Sequence, residues 1–230
     1  MLYDLIQQKE IPKLEPMQIL VDFAFDDDLQ NYMRLVYGNE LSDVDSQAKI
    51  KKFMTTAKDK LIRDNFEETH IARFCQVKDT NITLVLGYNV FVAGDTMYFV
   101  KHAKSGIVKH IEEQKIDHQY ICMANLAYDY LELNTAIDTS KICLVIMFTD
   151  EDGFKEFEFK PNNEAWGKIE HTYFEARMKS LQEKILSGLE PEQCSDTWNG
   201  KRCKIYCDFG PNKLNMCTKA DKGEDNESNS

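Results

Sequence analysis

No stretch of the 230 residues approaches the roughly 18–20 consecutive apolar positions that crossing a bilayer requires, although 43% of the chain is hydrophobic. The opening residues Met1-Leu2-Tyr3-Asp4-Leu5 also lack the basic-then-apolar order of a secretory leader. The expectation is a soluble, cytoplasmic chain with no membrane partner. Basic charge is in short supply too: 28 Lys and Arg stand against 39 Asp and Glu, a formal net charge of -11. That balance excludes a protein that coats nucleic acid non-specifically, because such binding depends on cations neutralising phosphates. A local basic groove survives the exclusion. No internal repeat is visible, and the length suits one well-buried core with an appendage.

Seven cysteines in a cytosolic chain are not a disulfide framework. Four of them, Cys194, Cys203, Cys207 and Cys217, follow a C-x8-C-x3-C-x9-C spacing. The paired C-x2-C knuckles of common zinc fingers are missing, but four thiolates around a turn close a tetrahedral Zn²⁺ site or hold a [4Fe–4S] cluster. Either would be structural, tying the C-terminal segment back to the domain. Cys122 and Cys143 lie in apolar surroundings and read as core. Lys201, Arg202 and Lys204, interleaved with Trp198 and Tyr206, form one compact basic-aromatic patch. It suits contact with a nucleic-acid backbone and stacked bases. It equally suits an exposed loop whose aromatics pack on the cysteine segment.

Along the chain, Met17 to Phe25 fits a strand or the first turns of a helix, with the apolar run and the stop at Asp26-Asp27-Asp28 favouring a strand. Helices are expected over Leu29–Tyr37 and Ser46–Asn65, the second with Lys49, Lys52, Lys58 and Lys60 around an apolar face. Glu67 to Phe74 reads as the end of that helix or a short one. Leu84 to Lys104 reads as two apolar strands joined at Ala93-Gly94-Asp95-Thr96, with Gly-Asp at the tip of a tight turn. Ser105-Gly106 then breaks the strand, and a polar link leads to a helix over Asp117–Leu131. Ile142–Phe148 is a continuous apolar run suited to a central strand. Phe154–Phe159 alternates as a strand does, and Asn162 or Asn163 would cap a helix from Glu164 to Leu186.

The order of helix, hairpin, helix, strand, strand, helix and cysteine segment resembles the PD-(D/E)XK nuclease superfamily, most closely its RecB-like exonucleases of phage and CRISPR-associated type. The resemblance covers residues 46–217. It implies an α/β (α+β) fold, a restriction-endonuclease-like mixed central sheet flanked by helices with a C-terminal metal-bound cysteine segment. In that family a helix ends with a metal-binding His. A hairpin then carries an Asp on one strand and an Asp/Glu-x-Lys on the other, and a helix with a Gln, often with a Tyr, follows. The carboxylates hold divalent cations that activate water, and the Lys positions or polarises that water.

The resemblance places His70 at the His position and Asn89 near the first Asp. His102 and Lys104 fall on the Asp/Glu-x-Lys, and Gln119 on the helix, with Tyr120 and Tyr128 as aromatic companions. The framework is kept and both acids are replaced, which implies lost hydrolysis, since neither Asn nor neutral His supplies the negative charge that draws Mg²⁺ or Mn²⁺ from water. The four C-terminal cysteines would be the cluster ligands. RecB-like nucleases, however, place one cysteine well upstream, and Cys75 is the substitute on offer here.

The implied organisation is an N-terminal extension over 1–45, a nuclease-like core over 46–190, the cysteine segment over 191–219 and a disordered acidic tail over 220–230. The implied function is a catalytically degenerate accessory factor that binds DNA or a protein partner in phage or mobile-element DNA metabolism. Two alternatives stand beside it. One is an active metal-dependent DNA exonuclease with acids relocated to Asp95 or Glu67–Glu68, and the other a metal-binding interaction protein in which the hairpin is merely structural.

Overall fold

The computed structural model describes residues 14–38, 71–87, 89–114, 119–148, 150, 153–161 and 171–192. The elements in order are β1 (Gln18–Leu20), a 3-10 turn (Val21–Phe23), α1 (Asp28–Tyr37), β2 (Phe74–Gln76), β3 (Thr83–Val85), β4 (Val90–Ala93) and β5 (Thr96–Ala103). They continue as α2 (Ser105–Gln114), α3 (Gln119–Asn134), β6 (Lys141–Phe148), β7 (Phe154–Phe159) and α4 (His171–Ser187). Among the described residues the result is a mixed α/β fold in which four helices flank two mixed sheets. One sheet has the order β1-β3-β2, with β1 parallel and β2 antiparallel to β3. The other has the order β4-β5-β6-β7, parallel between β5 and β6 and antiparallel elsewhere. Parallel neighbours need a long connection, and α2 and α3 supply it between β5 and β6.

Burial explains the central elements. Ile142 to Met147 are all buried, as a strand flanked by β5 and β7 and covered on both faces requires. Burying each large side chain there contributes about 1.5–3 kcal/mol. Helix α3 buries every residue from Ile121 to Tyr128, then Tyr130 and Leu131, so it is a core helix rather than a surface one. Tyr130 meets Phe174 of α4 edge-on, with centroids 6.0 Å apart and planes at 86°, which docks the last described helix. Residues 14–38 join the same core through Ile19, Val21, Leu29 and Leu35. Helix α1 begins where expected because Asp27 accepts the Leu29 N–H at 3.2 Å.

Several expectations change. The strand foreseen over Met17–Phe25 lasts only three residues before the 3-10 turn. Phe74–Gln76 is a strand, not a helix end. The long hairpin divides, because Gly87 adopts φ +65° and turns the chain between β3 in one sheet and β4 in the other. The hairpin proper is β4 and β5, joined at Gly94-Asp95 with Ala93 opposite Thr96. The polar link after Ser105 is helix α2, whose first turn is held by Asp150: the Ser105 N–H and hydroxyl donate to it at 3.0 and 2.9 Å. The helix expected over 46–65, the caps at Asn162 and Asn163, and the tail over 220–230 lie outside the described residues. No helix among the described residues is long and apolar enough to cross a membrane.

Candidate functional site

Three chain segments meet at the base of the hairpin. The 3-10 turn after β1 buries Val21 and leaves Asp22 partly exposed. Asn89, just before β4, is 5% exposed and lies across from Val100, whose N–H donates to the Asn89 carbonyl at 3.0 Å. The Asn89 side-chain amide donates to the Val100 carbonyl at 3.1 Å and to Asp22 Oδ1 at 3.2 Å. Lys101 on β5 completes the group, its Nζ 2.9 Å from Asp22 Oδ2. The Lys101 ammonium also lies 5.4 Å from the Tyr120 ring centre and 5.9 Å from that of Phe99, within the range of cation–π attraction. Arg73 straps the segment around Asn89 by donating to the carbonyls of Gly87 and Val90.

The charge balance of this group sets its chemistry. The Asp22 and Lys101 side chains are 28% and 14% exposed, so each is sheltered enough for the pairing to matter more than a surface ion pair would. The carboxylate is matched by one ammonium and accepts one amide N–H. What results is a neutral polar knot. A surplus of negative charge, which a hard divalent cation needs from its ligands, is not provided by Asp22 while Lys101 holds it.

The residues expected to form the site scatter around this knot. Asn89 belongs to it. His102 and Lys104 are exposed; His102 alternates with Lys101 and so faces the other side of the strand, and Lys104 follows the end of β5. Asp150 lies near Lys104, and its carboxyl is held below the usual carboxylate range, first by the Ser105 backbone N–H and in smaller part by the Lys104 charge. Gln119 is exposed at the start of α3, next to Tyr120. Tyr128 is buried instead, donating its hydroxyl to the Thr139 carbonyl at 3.3 Å. Asp95 sits at the hairpin tip, at the opposite end of β5 from Lys104, where the Thr96 hydroxyl is the main cause of its lowered pKa. His70, Glu67 and Glu68 lie outside the described residues.

The same holds for Cys194, Cys203, Cys207 and Cys217 and for Trp198, Lys201, Arg202, Lys204 and Tyr206. Among the described residues no group of three or more His, Cys, Asp or Glu side chains is arranged to hold a metal ion. Cys75, Cys122 and Cys143 are buried and in no disulfide. Burial pushes the Cys143 thiol up to about 12 and raises that of Cys75, so neither offers a thiolate near neutral pH.

Sequence reasoning missed Asp22 and assigned no role to Lys101. Asp22 is a single charge inside the apolar run Leu20-Val21-Asp22-Phe23, and that isolation is the available signal, whereas Lys101 closes the run Met97-Tyr98-Phe99-Val100 and stands next to His102-Ala103-Lys104. No family model matches the chain, and no curated protein does. Among solved structures, the crystal structure of SSO0001 is similar at 16% identity and a TM-score of 0.45, over 96% of this chain and 98% of that one.

Proposed function

We propose that this chain is a nuclease-fold protein of the PD-(D/E)XK, RecB-like kind that does not hydrolyse phosphodiesters and acts as a binding factor in DNA metabolism, the phage or mobile-element setting coming from the resemblance alone. The observation that supports the loss of hydrolysis is the Asp22–Lys101 pair, with Asn89 donating into it. The acid that meets Asn89 at the hairpin base is neutralised within the protein by Lys101, and Asn89 and His102 stand where the resemblance calls for carboxylates. Water activation by a bound cation then lacks its ligands. The net charge of -11 favours a protein partner with a basic face over DNA as the principal ligand.

A second reading keeps hydrolysis with a relocated acid, and the placement of Asp150 beside Lys104 favours it over Asp95. End-labelled single- and double-stranded DNA incubated with the purified protein and Mg²⁺ or Mn²⁺ separates the two. Our reading expects intact DNA, and Lys104→Ala indistinguishable from the wild type. Metal-dependent degradation lost in Lys104→Ala and Asp150→Asn would install the second reading.

The cysteine segment is a separate proposal, resting on spacing and resemblance: Cys194, Cys203, Cys207 and Cys217 hold a [4Fe–4S] cluster, with Zn²⁺ the alternative. Iron, sulfide and zinc assays on anaerobically purified protein test it. About four irons per chain with a broad visible absorption are expected, and a colourless zinc protein would replace the cluster with the alternative.

A further inference from the structure

The 3-10 turn that carries Asp22 is short, and two arginines from outside it fix its position. Arg34 on α1 lays its guanidinium 3.9 Å over the Phe23 ring, while its Nη1 donates to Asp26 Oδ2 at 2.7 Å and to Asn31 Oδ1 at 3.1 Å. Arg177 reaches across from α4, 153 positions after Ala24 in the chain. Its Nη1 donates to the Ala24 carbonyl at 2.7 Å, its Nη2 to the Asp26 carbonyl and its Nε to the Asp28 carboxylate. The side chain is 11% exposed. One planar fork thus grips the Ala24 and Asp26 carbonyls of the loop and the first carboxylate of α1, a geometry that lysine does not reproduce.

We propose that Arg177 is a positioning residue for Asp22: by clamping the Ala24–Asp28 loop, helix α4 holds the 3-10 turn where Asp22 meets Lys101 and Asn89. Ala24 is two residues from Asp22, and its N–H closes the turn on the Val21 carbonyl at 3.1 Å. A shift of the Ala24 carbonyl therefore moves Asp22 directly. Movement of α4 becomes the lever that loosens or secures the ion pair at the hairpin. The proposal depends on this geometry and not on whether the hairpin hydrolyses DNA.

Lysine acylation read by mass spectrometry tests it without nucleic acid. In the wild-type protein Lys101, paired and sheltered, reacts slowly, whereas Lys109 and Lys155, with side chains 74% and 49% exposed, react fast. In Arg177→Met the Lys101 rate is expected to rise by about fivefold or more, with Lys109 and Lys155 unchanged. Arg177→Lys, which keeps the charge but not the fork, is the milder variant and should show a smaller rise with the same selectivity. Asp22→Asn sets the ceiling. An unchanged Lys101 rate in both Arg177 variants would overturn the proposal. So would a rise shared by all lysines alongside a lowered melting temperature, since the clamp would then only hold the fold together.

Discussion

Lys101 and Asp22 meet at 2.9 Å, and this pairing decides what the hairpin base can do. In a half-sheltered setting an unpaired charge is costly, so removing one partner is worse than removing both. Asp22→Asn and Lys101→Met are each expected to destabilise the fold by about 1–3 kcal/mol, while the double variant Asp22→Asn/Lys101→Met loses less than the sum. Urea unfolding of the four proteins, read as a double-mutant cycle, checks this. A coupling energy of about 1 kcal/mol is expected.

Gly87 and Gly94 both have positive φ, at +65° and +58°, yet alanine should act differently at each. A Cβ on Gly87 would meet Asn89 Oδ1 at 2.7 Å, while nothing lies within 4 Å of one on Gly94. Gly94→Ala therefore carries backbone strain alone, about 1 kcal/mol. Gly87→Ala adds displacement of the Asn89 amide from Asp22, for a total of about 2–3 kcal/mol. The difference in unfolding midpoint between the two variants measures the Asn89 contact.

The buried thiols respond to pH in a defined direction. The Cys143 pKa is pushed by burial from 9.0 to about 12, so the folded state keeps its proton where the unfolded chain gives it up. Stability from this group is full below about pH 9 and falls as pH rises towards about 12. Site-resolved alkylation should leave Cys75 and Cys143 unmodified in native protein at pH 8 and modify both once urea unfolds it.

Much of the fold was legible because local chemistry and tertiary need agree. Ile142–Phe148 reads as a central strand and is one. Leu29–Tyr37 reads as a helix and α1 spans Asp28–Tyr37, and the apolar density of α3 matches its burial. Legibility failed where a distant partner decides the outcome. Ser105-Gly106 reads as a break until Asp150, 45 positions on, accepts from the first turn of α2. Leu84 and Val90 read as one strand until Gly87 sends them to different sheets. The site fared similarly: Asn89 was singled out, but its partner Asp22 lies 67 positions earlier, and no spacing rule links them. His102 and Lys104 group with Asn89 by motif, whereas the ion pair with Asp22 is made by Lys101, the neighbour of His102 on the other side of β5.

The central claim is that Lys101, and not a metal ion, neutralises Asp22. Titration of Mn²⁺ into the protein, followed by paramagnetic broadening of the amide signals of Asp22, Asn89 and Lys101, tests it most directly. The wild type should show no Asp22-dependent broadening at millimolar Mn²⁺, and Lys101→Met should acquire broadening that a second change, Asp22→Asn, removes. Strong broadening around Asp22 in the wild type, abolished by Asp22→Asn, would mean that the hairpin still binds a catalytic-type cation and would contradict the account.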